Sequence, residues 1–178
     1  MRYAAFLRGI NLGSHRKVPM ADLREALAGA GLSNPASYIR SGNVVFDTDL
    51  DKEATGRLVA STIAERYGFE VPVIVLDQEE LTDIVDANPY AEEAAADPTK
   101  VHLTLLDPEP PASTWDPVDP VPPEDFQVQG GAVYVHLPNG MGRSQLAEQL
   151  ARVVADVTAT TRNWRTVLAM VDLLRDED

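Results

Sequence analysis

Apolar residues in the first 76 positions fall into short groups whose spacing switches between the two-residue period of a strand and the 3.6-residue period of a helix. Ser41 and Gly42 are predicted to form a two-residue hairpin turn between two of these groups, and Gly68 is predicted to end a helical stripe. The predicted elements, in chain order, are a strand at 2–7, a helix at 19–29, strands at 37–40 and 43–47, a helix at 51–67 and a strand at 71–76. This β-α-β-β-α-β order is that of a ferredoxin-like, split-βαβ unit.

The second half is predicted to be a more degenerate α+β unit. Asp77 and Glu80 have the spacing of a capping box at the start of a helix. The later predicted elements are a strand at 101–106, a hairpin of 126–129 and 132–137 that turns at Gly130-Gly131, a helix at 142–157, and a last helix capped by Thr161 or Asn163. Seven of the 13 prolines lie at 107–124, which excludes a helix or a central strand there. We expect Trp115 to hold this stretch as an ordered loop.

The pattern divides the chain into a ferredoxin-like part at 1–76 and a second α+β part at 77–178, which we expect to form one compact unit. The second part could be a diverged duplicate of the first, in which the Pro-rich loop replaces the first helix. No residue-level repeat supports a duplication, so the sequence leaves this question open.

The composition is that of a globular protein. Of 178 residues, 44% are apolar, which is ample for a packed interior and too many for a disordered chain. No apolar run approaches the roughly 18 residues of a membrane span, and without cysteine there is no disulfide framework and no thiolate site. We therefore expect a cytoplasmic bacterial protein that does not associate with membranes.

Charge is distributed unevenly along the chain. The formal net charge is −13, yet residues 1–24 hold five Lys or Arg against Asp22 alone. Residues 77–125 hold fourteen acids against the single base Lys100, a pattern typical of a solvated acidic surface. The overall charge argues against binding to nucleic acid, because the field of the whole molecule would repel phosphate backbones. The positive N-terminal segment instead favours a small anionic ligand.

The predicted first sheet brings several polar residues to one of its ends. The first and second strands run parallel, so their carboxyl ends meet near the start of the first helix. The candidate ligand-binding residues at this end are Arg8, Asn11, Lys17, Arg40, Ser41 and Asn43. Guanidinium groups and helix N–H groups together can bind an anion. The alternative is that Arg8 and Arg40 form ion pairs with surface acids such as Asp22 or Asp47.

Two further segments of the second half carry candidate residues. A Gly-rich turn between a strand and a helix contains Asn139, Gly140, Arg143 and Ser144, although it lacks the spacing and the lysine of a P-loop. The alternative for this turn is that Ser144 or Asn139 caps the helix. Arg162 and Asn163 precede the last helix, whereas Trp164 is predicted to be a core anchor.

No catalytic or metal-binding constellation stands out in the sequence. The three histidines, His15, His102 and His136, show no ligand spacing, and His102 and His136 are expected to be structural residues within strands. Neither candidate serine lies in a Gly-x-Ser-x-Gly elbow, and no general base can be assigned. The sequence therefore predicts no metal site and identifies neither a cofactor nor a reaction.

Five segments together resemble the signatures of the bacterial domain-of-unknown-function family 1697. They are residues 6–13 (Phe-Leu-Arg-Gly-Ile-Asn-Leu-Gly), 17–20 (Lys-Val-Pro-Met), 38–46 (Tyr-Ile-Arg-Ser-Gly-Asn-Val-Val-Phe), 137–144 and 161–167. The resemblance implies a two-part α+β fold built on ferredoxin-like elements, and it implies no activity. The chain has Ser14 where family members usually have glycine, and Arg40 and Arg165 where an amide is frequent.

Two functions are compatible with these features. In the first, the protein binds a small phosphate-bearing ligand in a cleft between its halves, with at least two of the three polar regions facing that cleft, and whether it is also an enzyme is left open. In the second, it is a non-catalytic interaction or regulatory module whose acidic middle meets a basic partner. Binding to RNA is the least favoured, since the first and third strands lack interleaved aromatic residues. The oligomeric state cannot be predicted.

Overall fold

Two four-stranded sheets organise the chain, and a computed structural model describes residues 1–176. The chain divides into two units. The first unit is Met1–Thr82 together with the chain from Ala169 onward, and the second is Asp83–Leu168. The α+β class is therefore confirmed. No helix of the described chain is long and apolar enough to span a bilayer.

The first unit has the predicted β-α-β-β-α-β order. Its strands are β1 (Arg2–Leu7), β2 (Ser33–Tyr38), β3 (Asn43–Asp47) and β4 (Val73–Asp77). Its helices are α1 (Met20–Gly29), α2 (Lys52–Tyr67) and the first part of α3 (Gln78–Asp86). All neighbouring strands are antiparallel and the sheet order is β2-β3-β1-β4, so β1 and β2 run parallel on either side of β3.

The helices α1 and α2 cover one face of this sheet. Leu23 and Leu27 on α1, and Val59 and Ile63 on α2, are fully buried in one hydrophobic core with the inward residues of the strands. The ends of α2 match the sequence signals: Asp51 accepts a hydrogen bond from the Ala54 N–H at 2.7 Å. The periodicity of the apolar residues and the capping residues therefore predict the same helices in this part of the chain.

The predicted hairpin at 37–47 is wrong in its details. Strand β2 begins at Ser33 and ends at Tyr38, which pairs with Asn43, so the turn has four residues and contains Arg40. Ile39 and Gly42 both adopt left-handed backbone angles, with φ of 49° and 81°. The early start of β2 is possible despite Pro35 because β2 is an edge strand, where a missing N–H is tolerated.

The second unit repeats the strand order of the first. Its elements are the last part of α3, α4 (Ala91–Ala96), β5 (Val101–Asp107), β6 (Asp125–Gln129), β7 (Ala132–His136), α5 (Gln145–Val153), β8 (Thr158–Asn163) and the first part of α6 (Trp164–Arg175). The sheet order β6-β7-β5-β8 corresponds position by position to β2-β3-β1-β4, and all pairs are again antiparallel. The Pro-rich segment takes the place of α1 in the chain order, and α5 takes the place of α2.

The predictions for the second unit differ from the structure in several elements, and α4 (Ala91–Ala96) is among those not predicted. The helix predicted at 142–157 is shorter, because Ser144 caps α5 and the helix ends at Val153. Strand β8 is absent from the predicted elements, since Thr158–Asn163 is mostly polar and shows no apolar alternation. Trp115 holds the Pro-rich segment as expected: it packs on the core of this unit, with its ring 6.4 Å from that of Phe126. The exclusion of helix and central strand from 107–124 is wrong at two places, since Ala112–Trp115 is a short 3-10 helix and β5 extends to Asp107.

The capping box at the start of α3 has both of its reciprocal hydrogen bonds. The Glu80 N–H donates to Asp77 Oδ1 at 2.8 Å, and the Asp77 N–H donates to Glu80 Oε2 at 3.0 Å. We expect Asp77→Ala to lower the free energy of unfolding by about 1 kcal/mol in urea titrations, as loss of a helix cap does. Glu79→Ala is the matched control in the same turn, and it should change the stability by less than about 0.5 kcal/mol. Equal effects of the two variants would contradict the capping role.

Candidate functional site

One end of the first sheet carries the N-terminal candidate residues. Arg8 follows β1 directly, and its backbone N–H donates to Pro72 O at 3.0 Å. The preceding Leu7 N–H donates to Gly42 O at 2.8 Å, which joins the end of β1 to the β2–β3 turn. We call this region the basic end: the loop at 8–18 and the turn at 39–42, with the cations Arg8, Lys17 and Arg40.

Asn11 joins the two segments of the basic end. Its Nδ2 donates to Val18 O at 2.9 Å and to Arg40 O at 2.7 Å, and its Oδ1 accepts from the Val18 N–H at 2.8 Å. The backbone of Asn11 also donates to Arg16 O at 3.0 Å. The amide is therefore engaged with the backbone on both sides, and Asn11 positions the loop against the turn.

Asn43 and Gly42 hold the β2–β3 turn in place. Asn43 is fully buried, and its Nδ2 donates to Tyr38 O at 3.1 Å and to Ser41 Oγ at 2.9 Å. A Cβ atom at Gly42 would lie 2.7 Å from the Cβ of Leu7 and 3.0 Å from Cδ1 of Ile10. No side chain can approach so closely without displacing a neighbour, so the turn passes over β1 only because residue 42 is glycine.

The three cations of the basic end have no counterion in the described part of the chain. Arg8, Lys17 and Arg40 are exposed, and their side chains make no hydrogen bond or ion pair with any residue among 1–176. Arg16 in the same loop is also exposed and has no ion pair within residues 1–176, but its guanidinium lies 5.7 Å from the centre of the Phe69 ring. His15 is exposed in the same loop.

The acids that could have neutralised these cations are bound elsewhere. Asp22 pairs with Arg66 and accepts a hydrogen bond from the Tyr67 hydroxyl at 2.7 Å. The hydrogen bond from Arg66, followed by that from Tyr67, lowers the pKa of Asp22 to about 2. Asp47 pairs with Arg2 at 3.0 Å. The alternative pairing of Arg8 and Arg40 with Asp22 or Asp47 is therefore not observed.

Left-handed backbone conformations are concentrated at the basic end. Among the described residues, four that are not glycine have positive φ, and three of them lie here: Asn11 at 55°, Arg16 at 50° and Ile39 at 49°. Such conformations cost of order 1–3 kcal/mol each and recur at ligand-binding segments. The local geometry is thus held by the surrounding contacts rather than by the intrinsic preference of these residues.

In the second unit, the Gly-rich turn is mostly occupied by structural contacts. Ser144 Oγ accepts from the Ala147 N–H at 2.9 Å, so the alternative role of helix cap is observed for Ser144. The next N–H at the start of α5, that of Leu146, is 3.3 Å from Glu124 Oε2, so a carboxylate already lies at this helix start. Asn139 and Arg143 are exposed and have no hydrogen-bond or ion-pair partner within residues 1–176. Gly140 adopts a φ of 85°.

The third predicted region combines a buried arginine with a helix cap. Arg162 is 9% exposed, and its Nη1 donates to Thr160 Oγ1 at 2.7 Å and to Thr161 O at 2.9 Å. Burial lowers the pKa of Arg162 to about 10, which leaves it charged at neutral pH. Asn163 Oδ1 accepts from the Thr166 N–H at 3.0 Å, so Asn163 is the cap of α6. Trp164 is buried, as predicted.

Sequence reasoning did not select Lys100 and His102, of which Lys100 directly precedes β5 and His102 is the second residue of that strand. Lys100 Nζ lies 3.8 Å from the position that a Cβ atom would take at Gly140. His102 is buried, and its Nδ1 has no hydrogen-bond partner in the described chain. Burial, followed by the positive charge of Lys100, lowers the pKa of His102. The sequence feature that could have identified this region is Lys100, the single base among the fourteen acids of residues 77–125.

The corresponding end of the second sheet has the opposite charge. Where β1 is followed by Arg8, β5 ends in Asp107, and Glu109 follows shortly after it. Glu109 Oε2 lies 3.8 Å from the Cβ position of Gly131, in the β6–β7 turn that corresponds to the turn at 39–42. The positive charge of the basic end is therefore a property of its sequence and does not follow from the shared topology.

The chain is an α+β protein whose two sheets have the same order of strands. One sheet ends in the basic end, whose cations Arg8, Lys17 and Arg40 have no counterion within residues 1–176. The chain belongs to the family described as Protein of unknown function (DUF1697), whose model matches residues 1–134. The resemblance inferred from the sequence is thus confirmed. The segments at 137–144 and 161–167 lie beyond the matched residues.

Comparison with solved structures gives the same fold. The chain is similar to the structure of the conserved bacterial protein SP0830 from Streptococcus pneumoniae, with a TM-score of 0.81 and 22% sequence identity over 98% of each chain. A search of curated proteins found no match.

Proposed function

We propose that the first unit binds a small phosphate-bearing anion at its basic end. The observation that carries this proposal is the set of three exposed cations, Arg8, Lys17 and Arg40, without a counterion in residues 1–176 of a chain whose formal charge is −13. Positive charges held near one another repel, and an anion between them offsets that cost. A bidentate guanidinium is well suited to phosphate geometry.

Preorganisation supports the proposal. Asn11 ties the loop that carries Arg8 and Lys17 to the turn that carries Arg40, through its 2.7 Å bond to Arg40 O. Gly42 and Asn43 fix that turn on β1. A ligand therefore meets cations on a backbone that is already ordered, which reduces the conformational entropy lost on binding.

The start of α1 contributes little to this binding. Pro19 precedes the helix and provides no side-chain cap, so backbone N–H groups are free to face an anion. Asp22, however, lies in the first turn and stays ionised because of its partners, Arg66 and Tyr67. A carboxylate at this position already interacts with the helix dipole and opposes a second anion. The guanidinium groups are thus the main source of affinity.

The proposal concerns binding and assigns no reaction. The side chains of the basic end supply cations and backbone-bonded amides, and none of the candidate residues has the environment of a general base. Because the basic end lies within the first unit, the cleft expected between the halves is not part of this proposal and stays a prediction. We keep the cytoplasmic, bacterial setting as part of the proposal, since phosphorylated small molecules are abundant there.

The test is calorimetric titration of the protein with pyrophosphate, a nucleoside monophosphate and a sugar phosphate. We expect Arg8→Ala to weaken binding of these compounds by about 1.5–3 kcal/mol, the range for hydrogen bonds to charged groups. Arg57→Ala is the matched control, because Arg57 is exposed on α2 and pairs only with Glu53, one turn away. It removes the same charge and should leave the affinity unchanged.

Two results would oppose the proposal. Absence of binding by the parent protein would remove its basis and favour the second function, an interaction module whose acidic middle meets a basic partner. Unfolding of the Arg8→Ala variant, seen by circular dichroism, would assign Arg8 a structural role instead.

A further inference from the structure

Two exposed apolar side chains belong to the same loop and turn as the cations of the basic end. Leu12 is 71% exposed and Ile39 is 54% exposed. Leu12 follows Asn11 and Ile39 precedes Arg40, and the hydrogen bond between the Asn11 side chain and Arg40 O holds the two segments together at 2.7 Å. The loop and the turn that carry the cations therefore also expose apolar side chains.

Ile39 is the least expected residue of this surface. Its φ of 49° is left-handed, a conformation that asparagine and glycine adopt readily and that β-branched residues strongly disfavour. Because the side chain is more than half exposed, burial does not compensate for the strain. A strained and exposed β-branched residue is a reason to look for a role in binding.

We infer that the ligand of the basic end is a soluble, amphipathic phosphate ester, whose phosphate binds Arg8 and Arg40 while its apolar group packs on Leu12 and Ile39. This inference rests on the proposed function and specifies the class of ligand. Packing an apolar group on two aliphatic side chains removes apolar surface from water on both partners.

The charge of the protein decides between a soluble ligand and a lipid surface. An anionic bilayer would attract the three cations of the basic end but would repel a chain whose net charge is −13. Two apolar side chains also offer a small area for insertion into a membrane. A small soluble molecule with a phosphate and an apolar group is not repelled in this way, and two aliphatic side chains are enough to contact its apolar group.

The experiment compares phenyl phosphate with methyl phosphate, which share the phosphate group and differ in the apolar group. Chemical-shift titrations of the full-length protein should show binding of phenyl phosphate about 10-fold tighter than that of methyl phosphate, the ratio expected for roughly 50 Å² of apolar surface buried. Ile39→Asn should reduce this ratio to within about twofold, because asparagine removes the apolar surface that only phenyl phosphate can cover. The same variant should raise the unfolding midpoint by about 2–4 °C, because asparagine tolerates the left-handed conformation.

Leu50→Asn is the matched control, since Leu50 is an exposed aliphatic residue of the same unit after the far end of β3. It should preserve the ratio. Equal binding of both phosphates by the parent protein overturns this inference and leaves the proposed function intact, whereas binding of neither contradicts the proposed function itself. Preferential binding to vesicles that contain phosphatidylserine, in a sedimentation assay against neutral vesicles, overturns the assignment to a soluble ligand.

Discussion

Gly42→Ala is expected to lower the free energy of unfolding by about 2–5 kcal/mol, from a left-handed backbone that disfavours alanine and from overpacking against β1. The φ of Gly42 is 81°, and a Cβ atom there would lie 2.7 Å from the Cβ of Leu7. Leu7 Cβ is attached to a buried central strand, so it cannot move aside as the end of a flexible side chain can. Urea denaturation followed by circular dichroism measures this change.

Gly68→Ala separates the two contributions. Gly68 has nearly the same φ, 77°, and nothing lies within 4 Å of the position of its Cβ atom. Its replacement should cost only the backbone preference, about 1–2 kcal/mol. Close approach at Gly42 therefore predicts that Gly42→Ala is the more destabilising variant by about 1–3 kcal/mol. Equal losses would show that the turn relaxes away from Leu7 and that glycine is needed only for its φ.

The first unit could be predicted from the sequence because its local and long-range signals agree. Asp51 precedes an apolar stripe of 3.6-residue period and Gly68 follows it, and in the structure these two residues are the N-cap and the C-cap of α2. The capping box at Asp77 and Glu80 likewise has the bonds that its spacing predicts. Where the same residues define both the ends and the buried face of an element, few alternatives remain.

The errors fall where pairing partners, and not local preference, determine the structure. Strand β8, with the sequence Thr-Ala-Thr-Thr-Arg-Asn, has no apolar alternation, and it is a strand because it pairs with β5 from His102 to Asp107. A two-residue β2–β3 turn is predicted because Ser41-Gly42 is a good hairpin sequence. The actual length of the turn depends on Ile39 adopting a conformation that its side chain disfavours.

For the candidate site, the distribution of charged residues along the sequence indicated where the cations lie, whereas the presence of asparagine residues did not indicate their roles. An excess of Lys and Arg near the N-terminus of an acidic chain is enough to locate the basic end. The sequence could not tell that Asp22 and Asp47 are bound by Arg66 and Arg2, because those pairs join residues 44 and 45 positions apart. Nor could it separate an amide that would bind a ligand from one that binds backbone, since both use the same donors and acceptors.

Asn11→Ala is expected to destabilise the first unit by about 3–5 kcal/mol, from three lost hydrogen bonds at about 1 kcal/mol each and a left-handed backbone that disfavours alanine. The bonds join Asn11 to Val18 twice and to Arg40 once. Without the bond to Arg40, the loop and the turn are joined only through the bond between the Leu7 N–H and Gly42 O, so the spacing of Arg8 and Arg40 is held less firmly. We therefore expect weaker binding of phosphate esters even where the variant is fully folded.

Asn11→Gly and Asn139→Ala complete this test. Asn11→Gly removes the same hydrogen bonds but tolerates a φ of 55°, so it should be about 1 kcal/mol less destabilising than Asn11→Ala and should weaken ligand binding equally. Asn139 is exposed and makes no hydrogen bond within the described chain, so Asn139→Ala should change stability by less than about 0.5 kcal/mol. If Asn11→Gly retained the stability and affinity of the parent, the three bonds would not organise the basic end. Its cations would then be independent surface charges, because a preorganised anion site requires the loop and the turn to be held in one arrangement.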